Sequence, residues 1–259
     1  MVRPRRITIN GISTREVVTG EGPPVLMAHG WGANLELLEP LALPLSRLGY
    51  QCCMIDLPGF GESDEPPAPF SIFDFANFCI AYLNHRGLGA VNYFGHSLGG
   101  RIGLILASDH SDRIRSMALS NSAGIKPDAP LHKRMRLGLY KSVRRSLEGL
   151  GAETAAERLR AVYNRRFGSE DLLNASPVMR GTLINVVNQD LLDHARRVSV
   201  ATILIWGDED AETPLWMGQA LEAAIPDAAL IVHKGAGHYA YLDFPQKTAN
   251  IIDALYRGA

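Results

Sequence analysis

The sequence predicts an α/β fold: a mostly parallel sheet of eight strands with helices on both faces and a helical insertion between two core strands. Short apolar runs alternate with segments of helical periodicity, a pattern typical of a parallel sheet covered on both faces. The chain has 259 residues, a length at which α/β folds often form one domain. Residues 124–198 interrupt the alternation, because they contain helical patterns alone.

The first third begins with an expected β-hairpin, because the strand-like segments 7–9 and 12–19 flank the turn-forming pair Asn10 and Gly11. Further strands are predicted at 25–30, 51–56, 91–95, 113–121, 201–206 and 228–233. Helices are predicted at 34–48, 71–86, 97–109, 215–224 and 245–257. Pro40 and Pro44 weaken the pattern of the first helix.

The insertion at 124–198 predicts three helices, at 131–149, 153–168 and 176–196. From 126 to 200 there are 14 Lys/Arg and 8 Asp/Glu, a balance of +6, against 12 and 19 elsewhere, a balance of −7. A solvated helical surface is the favoured interpretation of this charge. A surface that attracts an anionic substrate is the alternative.

Composition excludes several classes of protein. The formal net charge is −1, so the chain lacks the overall basic charge of a nucleic-acid binder. No apolar run reaches the ~18 residues that span a bilayer, and the basic N-terminus has no apolar stretch of signal-peptide type. The 3 cysteines do not suggest a disulfide framework. A cytoplasmic protein is expected.

The residues GHSLGG at 95–100 contain the pattern G-x-S-x-G, in which Ser97 is the candidate nucleophile. The pattern alone is weak, but it follows a predicted strand and opens a predicted helix, which is the setting that the motif requires. Glycines suit its flanking positions because the turn is too sharp for side chains. Ser97 as a simple helix N-cap is the alternative, and the setting favours the nucleophile.

A serine hydroxyl needs a general base, and His238 is the candidate. His238 lies on a glycine-containing loop after the last predicted strand, where it faces the same sheet edge. There it would accept the serine proton and later return it to the leaving group. A surface histidine is the alternative.

The base needs a carboxylate to orient it, and three acids lie together in the loop after the strand 201–206. Asp210 is the preferred candidate, because the loop turns into the next helix at Pro214. Asp208 is the alternative.

The carbonyl oxygen gains charge during attack and needs preorganised donors. The backbone N–H of Leu98, directly after the nucleophile, is one candidate. The backbone N–H of Trp31, in the glycine-flanked loop after the strand 25–30, is the other. His29 is expected to fix this loop by hydrogen bonding and to have no catalytic role.

Together these motifs resemble those of the α/β-hydrolase superfamily, in its cap-bearing serine hydrolase branch, over nearly the whole chain. The motif DLPGFGES at 56–63 matches a structural turn of that family, and the family pattern G-x-x-D at 207–210 supports Asp210. The order of Ser97, Asp210 and His238 along the chain is the family order. The resemblance implies an α/β-hydrolase core at 1–123 and 199–259 with a helical cap, or lid, at 124–198.

Three residues are candidates for substrate binding. Arg101 lies four residues after Ser97, one helical turn along the same face. It could bind a substrate carboxylate, although a buried structural ion pair is the favoured interpretation. The string G-x-S-x-G-G-R, at residues 95–101 of this sequence, is common in cap-bearing hydrolases and occurs in a related lyase that acts on anionic substrates. Phe60 and Tyr239 flank motif loops and would line an apolar pocket or belong to the core.

The expected function is that of a carboxylesterase-like serine hydrolase, which cleaves a small carboxylic ester or a related carbonyl C–C bond through an acyl-enzyme. The expected partner is a small-molecule carbonyl substrate, with no nucleic acid, no membrane span, no metal and no cofactor; the oligomeric state is left open. A cofactor-free lyase acting on an anionic substrate is one alternative. A ligand-binding protein that keeps the hydrolase fold is another.

Overall fold

A computed structural model describes residues 4–126, 131–167 and 170–258 of the chain. These residues form one sheet of eight strands. In chain order the strands are β1 (Arg5–Ile9), β2 (Ile12–Thr19), β3 (Pro24–Ala28), β4 (Gln51–Ile55), β5 (Val91–His96), β6 (Ile114–Ser120), β7 (Thr202–Gly207) and β8 (Ala228–His233).

The order of the strands across the sheet is β1-β2-β4-β3-β5-β6-β7-β8. β1 and β2 form the expected hairpin, in which Asn10 and Gly11 have φ angles of 49° and 82°. β2 is antiparallel to β4, and all later pairs are parallel. The predicted α/β fold with a mostly parallel eight-stranded sheet is therefore confirmed. The carboxyl ends of the parallel strands share one edge, where α/β proteins bind ligands.

The described residues also form helices, some of which cover the two faces of this sheet. They are α1 (Glu39–Arg47), α2 (Ile72–His85), α3 (Leu98–Asp109), α4 (Leu131–Gly149), α5 (Glu153–Phe167), α6 (Glu170–Asn174), α7 (Pro177–Asn188), α8 (Leu192–Ala195), α9 (Leu215–Ala224), α10 (Ala240–Asp243) and α11 (Pro245–Gly258). Within the described ranges, no helix has the length and apolarity to cross a membrane.

The central strand β3 shows how the two faces are buried. Leu26 and Ala28 pack in an apolar cluster with residues of α2, α3 and α9, whereas Val25 and Met27 pack in a second cluster with residues of α1 and α11. All four side chains are at most 1% exposed. Because alternate side chains of a strand point to opposite faces, the two clusters lie on opposite sides of the sheet.

The helix expected over 34–48 is divided in two. A 3-10 turn covers Leu35–Leu37, and α1 begins only at Glu39. Pro40 lies in the first turn of α1, where a missing N–H and a fixed φ are tolerated. Pro44 lies inside the helix and removes one backbone hydrogen bond without ending it.

Between β6 and β7 the described residues contain helices α4 to α8 and no strand. The expected single helix over 176–196 is wrong: α7 ends at Asn188, Gln189 is extended with ψ of 124°, and α8 begins at Leu192. Asp190 accepts the N–H of Leu192 at 3.0 Å and so favours the break. The short helix α6 was not expected, and residue 168 of the predicted helix 153–168 lies outside the described residues.

Hydrogen bonds attach α7 to the sheet-covering helices. The Thr182 hydroxyl accepts the N–H of Phe70 at 2.9 Å, and the side chain of Gln189 accepts the N–H of Ile72 at 3.1 Å. The Gln189 carbonyl accepts a guanidinium N–H of Arg101 at 2.8 Å. These bonds hold α7 beside the start of α2 and the first turn of α3.

Candidate active site

Ser97 occupies a strained turn between β5 and α3. Its φ is 51° and its ψ is −104°, a conformation that costs a non-glycine residue about 1–3 kcal/mol. The neighbouring chain segments are packed tightly: a Cβ atom at Gly95 would overlap the carbonyl oxygen of Gly99, and one at Gly99 would overlap that of Ala28. These contacts explain why glycine flanks Ser97 on both sides.

His238 lies in the loop after β8 and contacts Asp210, in the loop after β7. The distance from His238 Nδ1 to Asp210 Oδ2 is 2.9 Å. The Asp210 side chain is fully buried and that of His238 is 8% exposed. Asp208, the alternative acid, instead accepts the N–H of Gly235 at 2.7 Å, so it holds the loop that carries His238.

Asp210 accepts a dense set of hydrogen bonds. Its Oδ1 accepts the N–H groups of Glu212 and Thr213 at 2.8 and 2.9 Å. Its Oδ2 accepts from the Thr213 hydroxyl at 2.6 Å and from the Asn121 side-chain amide at 2.7 Å. Burial alone would raise the pKa of Asp210, but the hydrogen bonds from His238, Thr213 and Asn121 outweigh it and lower the pKa. Asp210 is therefore ionised at neutral pH.

The described residues contain no hydrogen bond between Ser97 Oγ and His238. His238 Nε2 instead lies 3.5 Å from Glu212 Oε2. His238 does lie at the end of β5, because the ring centroid of His96, the residue directly before Ser97, is 4.8 Å from that of His238. Such catalytic hydrogen bonds often tighten only when substrate is bound.

His96 keeps a neutral ring beneath this site. Burial and the neighbouring charge of His238 lower the pKa of His96 to about 3. Its Nδ1 is 3.2 Å from the carbonyl oxygen of Ser120, so this nitrogen carries the proton and donates. A neutral His96 adds no positive charge against His238.

The backbone N–H groups of Trp31 and Leu98 donate to no acceptor within the part of the chain that the structure describes. Leu98 is the first residue of α3, where no intrahelical acceptor exists. A Cβ at Gly30 would lie 3.3 Å from the Cβ of Ser97, so the loop that carries Trp31 lies against the candidate nucleophile. A role of these two amides in binding an oxyanion stays a prediction.

His29 holds this loop in place. Its Nδ1 donates to the Gly30 carbonyl at 2.7 Å and its Nε2 accepts the N–H of Leu57 at 3.0 Å. Burial lowers the pKa of His29, which keeps the ring neutral, as this pair of bonds requires.

A cavity of about 180 Å³ opens beside Ser97. Arg101 lines it and is only 6% exposed. Its guanidinium donates to the Gln189 carbonyl and, within the described residues, has no carboxylate in ion-pair contact. A direct ion pair, the favoured interpretation of Arg101, is therefore not present among the described residues, although the charge of Asp190 acts on Arg101 from a greater distance. Binding of a substrate carboxylate by Arg101 stays a prediction. Burial lowers the pKa of Arg101 to about 10, so it remains a cation at neutral pH.

The cavity walls also include residues that the sequence did not indicate. They come from α6 and α7 and are Asp171, Leu183, Val186 and Val187. The apolar members follow the helical spacing of α7, but that spacing is equally typical of residues buried in a core. Only the position of α7 against α3 shows that they face Ser97.

Phe60 and Tyr239 occupy different surroundings. Phe60 packs edge-on against Trp31, with ring centroids 4.8 Å apart. It lines a second cavity, of about 270 Å³, which shares Trp31 and Asp171 with the first. Tyr239 packs against His96 at 4.7 Å and against His238 at 5.5 Å. Phe60 is thus placed where a ligand could reach it, whereas Tyr239 supports the histidines.

Comparison with known proteins assigns the family. A sequence model described as "alpha/beta hydrolase fold" matches residues 23–245, most of the chain. The protein belongs to the α/β-hydrolase family. The groups of His, Cys, Asp and Glu in the described residues include no cluster of three that could hold a metal ion.

This α/β hydrolase is similar to curated enzymes over most of its length. It is 29% identical over 245 residues to a pimeloyl-[acyl-carrier protein] methyl ester esterase of Chromobacterium violaceum, which covers 88% of this chain and 91% of the relative. It is 24% identical over 263 residues to a 2-hydroxy-6-oxo-6-(2'-aminophenyl)hexa-2,4-dienoic acid hydrolase of Metapseudomonas resinovorans, covering 95% and 88%. A solved esterase of Thermogutta terrifontis superposes with a TM-score of 0.74 at 24% identity, covering 99% of this chain and 98% of that one.

Proposed function

We propose that this hydrolase is a serine carboxylesterase that uses Ser97, His238 and Asp210 as a catalytic triad. The observation that carries the proposal is the buried Asp210–His238 contact of 2.9 Å at the sheet edge where Ser97 occupies its strained turn. A binding protein would not need an ionised, five-fold hydrogen-bonded aspartate behind a histidine. Similarity to an ester hydrolase over 88% of the chain supports the same reaction.

Each residue has a defined step in this mechanism. Ser97 Oγ attacks the carbonyl carbon of the ester while its proton passes to His238 Nε2. The C–O bond then breaks, and the leaving alkoxide takes that proton. Water attacks the resulting acyl-enzyme, losing a proton to His238, and the acid product leaves with Ser97 restored. Asp210 keeps the proton on His238 Nδ1 and stabilises the imidazolium that forms twice in each cycle.

The free N–H groups of Trp31 and Leu98 would bind the oxyanion of both tetrahedral intermediates. Loss of one such donor typically costs 10²–10³-fold in rate. Phe60 would contact the substrate at the mouth of the second cavity. Tyr239 would act indirectly, by packing against His238.

Arg101 indicates the substrate class. Arg101 is a buried cation that makes no ion-pair contact with a described carboxylate, although the charge of Asp190 acts on it and Asp171 lines the same cavity. A carboxylate supplied by a ligand would pair with this cation directly. We therefore propose that the substrate carries a carboxylate on its acyl portion, which would lie in the cavity between Arg101 and Ser97. The dienoic acid named for the relative from Metapseudomonas is also an anion, although its carboxylate and its 6-oxo carbonyl lie at opposite ends of the carbon chain, so the carboxylate would leave with the departing fragment and not with the acyl group. Cleavage of a carbonyl C–C bond is a related possibility for the same site.

Labelling with a fluorophosphonate tests the proposal. Intact mass is measured for the wild type, for Ser97→Ala and for Ser108→Ala, a control serine in the same helix α3. Hydrolysis of short p-nitrophenyl esters is measured in parallel. We expect one adduct and turnover in the wild type and in Ser108→Ala, and neither in Ser97→Ala. Full labelling of Ser97→Ala would show that Ser97 is not the nucleophile.

A cofactor-free lyase is the second candidate, because Arg101 would hold an anionic substrate of either enzyme. The two are separated by trapping with a slow ester substrate. A covalent acyl adduct on Ser97 supports the esterase. Turnover of an anionic substrate without an adduct supports the lyase.

A further inference from the structure

Glu212 makes a contact that the proposed triad does not require. Its Oε2 lies 3.5 Å from His238 Nε2, the nitrogen that must accept the serine proton. The Glu212 side chain is 70% exposed and that of His238 is 8% exposed. The backbone of Glu212 is fixed independently, because its N–H donates to Asp210 Oδ1 at 2.8 Å.

Whether this contact is favourable depends on whether the His238 ring is neutral or protonated. In the neutral ring Nδ1 carries the proton toward Asp210, so Nε2 presents a lone pair to the carboxylate of Glu212. Because both atoms are then hydrogen-bond acceptors, no hydrogen bond can form between them. In the imidazolium Nε2 carries a proton and a share of the positive charge, and the same contact becomes attractive.

The other groups around His238 do not duplicate this role. Asp210 and the Thr213 hydroxyl, which is 3.3 Å from Nδ1, lie on the opposite nitrogen. His96 is held neutral by burial, and Tyr239 contacts the ring edge-on. Of the described residues with a contact to the His238 ring, Glu212 alone places a negative charge at Nε2.

We propose that Glu212 is a positioning residue that stabilises the imidazolium form of His238 through its contact with Nε2. The proposal rests on the proposed function, since it assigns His238 as the base. It makes His238 an imidazolium between two carboxylates, one buried and one exposed. The exposed carboxylate of Glu212 would make His238 a stronger base. Because water screens the interaction between Glu212 and His238, it would not lock the ring in one orientation.

The test is a direct titration of the His238 ring by NMR, which needs no catalytic activity. Protein labelled with ¹³C-histidine is titrated as the wild type, Glu212→Gln, Glu212→Asp and Glu209→Gln, with the His238 signal assigned from His238→Gln. We expect Glu212→Gln to lower the pKa of His238 by about half a pH unit, the effect of a largely exposed ion pair. Glu209→Gln removes an exposed carboxylate from the same loop and should leave the pKa unchanged.

Three further results bear on the proposal. The difference between wild type and Glu212→Gln should shrink in 1 M salt, where the Debye length falls to about 3 Å, and Glu212→Asp should give an intermediate pKa. The acidic limb of kcat/KM for an ester should move to lower pH by the same amount as the NMR titration. An identical His238 pKa in wild type and Glu212→Gln, or an equal shift in Glu209→Gln, would overturn the proposal. Absence of fluorophosphonate labelling would overturn the proposed function instead, and the titration would still report on Glu212.

Discussion

Asn121 and His238 bind the same oxygen of Asp210. Asn121 lies directly after β6 with φ of 47°, and its side-chain amide reaches Oδ2 at 2.7 Å. Its other acceptor is the carbonyl oxygen of Gly237 at 3.3 Å, next to the histidine. Asn121 therefore links the acid of the proposed triad to the loop that carries the base.

Loss of this link should reduce activity. Asn121→Gly keeps the left-handed backbone accessible and removes the side-chain amide. A hydrogen bond to a charged group contributes about 1.5–3 kcal/mol, so kcat/KM for an ester should fall by roughly 10-fold or more. Asn10→Gly is the matched control, because Asn10 has φ of 49° in a distant hairpin turn. Equal kcat/KM in the two variants would show that Asn121 does not support the site.

The close approach at Gly99 should make any side chain there costly. A Cβ at this position overlaps the Ala28 carbonyl oxygen, and backbone atoms must move to relieve it. We expect Gly99→Ala to lower the free energy of unfolding by about 2–4 kcal/mol, measured by urea denaturation. Gly89→Ala is the control, since a Cβ there meets no atom within 4 Å and should change stability little. Similar midpoints for both variants would contradict the packing described.

Arg101 should discriminate between charged and neutral substrates. Arg101→Met removes the cation and keeps much of the side-chain volume. For a p-nitrophenyl ester with a terminal carboxylate on its acyl chain, kcat/KM should fall by roughly 10–100-fold, while a neutral ester of equal length should be hydrolysed nearly as before. Arg115→Met, which alters an arginine outside both cavities, should affect neither ester. A parallel loss on both esters would show that Arg101 serves the attachment of α7 and not substrate recognition.

The lowered pKa of Asp210 makes its contribution to stability dependent on pH. A carboxyl group with a depressed pKa in the folded state stabilises the fold above its unfolded pKa of about 3.9, and this contribution is lost as the pH falls through the folded value. At pH 7, Asp210→Asn should be less stable than the wild type by about 2 kcal/mol or more, since an NH₂ group would face several donors.

The difference in the free energy of unfolding between the wild type and Asp210→Asn should become smaller in urea titrations performed below pH 4. Asp227→Asn, which alters an exposed aspartate, should match the wild type throughout. A difference that stays constant from pH 7 to pH 3 would show that the ionisation of Asp210 does not stabilise the fold.

The fold could be predicted from the sequence because two periodicities dominate it. The ends of the predicted strands lie within two residues of those observed. Turn-forming residues such as Asn10 and Gly11 mark where an apolar run stops. The expected helix over 176–196 is wrong because the backbone becomes extended at Gln189 and Asp190 accepts the N–H of Leu192 at the start of α8. Such a local break leaves the apolar spacing unchanged.

The candidate site could be predicted only where a motif marks it. Ser97, Asp210 and His238 lie in glycine-bearing loops with recognisable spacing, whereas Asn121 has no motif of its own. Its position could have been inferred from topology, since it follows a strand that ends at the same sheet edge. The exposure of Arg101 to the cavity could not have been inferred from the sequence, because it depends on how α7 packs against α3.

The proposed reaction centre and part of the proposed substrate cavity lie on physically separate supports in this protein. The proposed catalytic side chains follow strands β5, β7 and β8, whereas Leu183, Val186 and Val187 belong to α7, which is joined to its neighbours by a few hydrogen bonds. An engineer could randomise Leu183 and Val187 on this face of α7 and retain the reaction centre intact, whereas Val186 is 3% exposed and packs in the apolar cluster with residues of α2 and α3. Selection for new substrates would then explore specificity at little risk to catalysis.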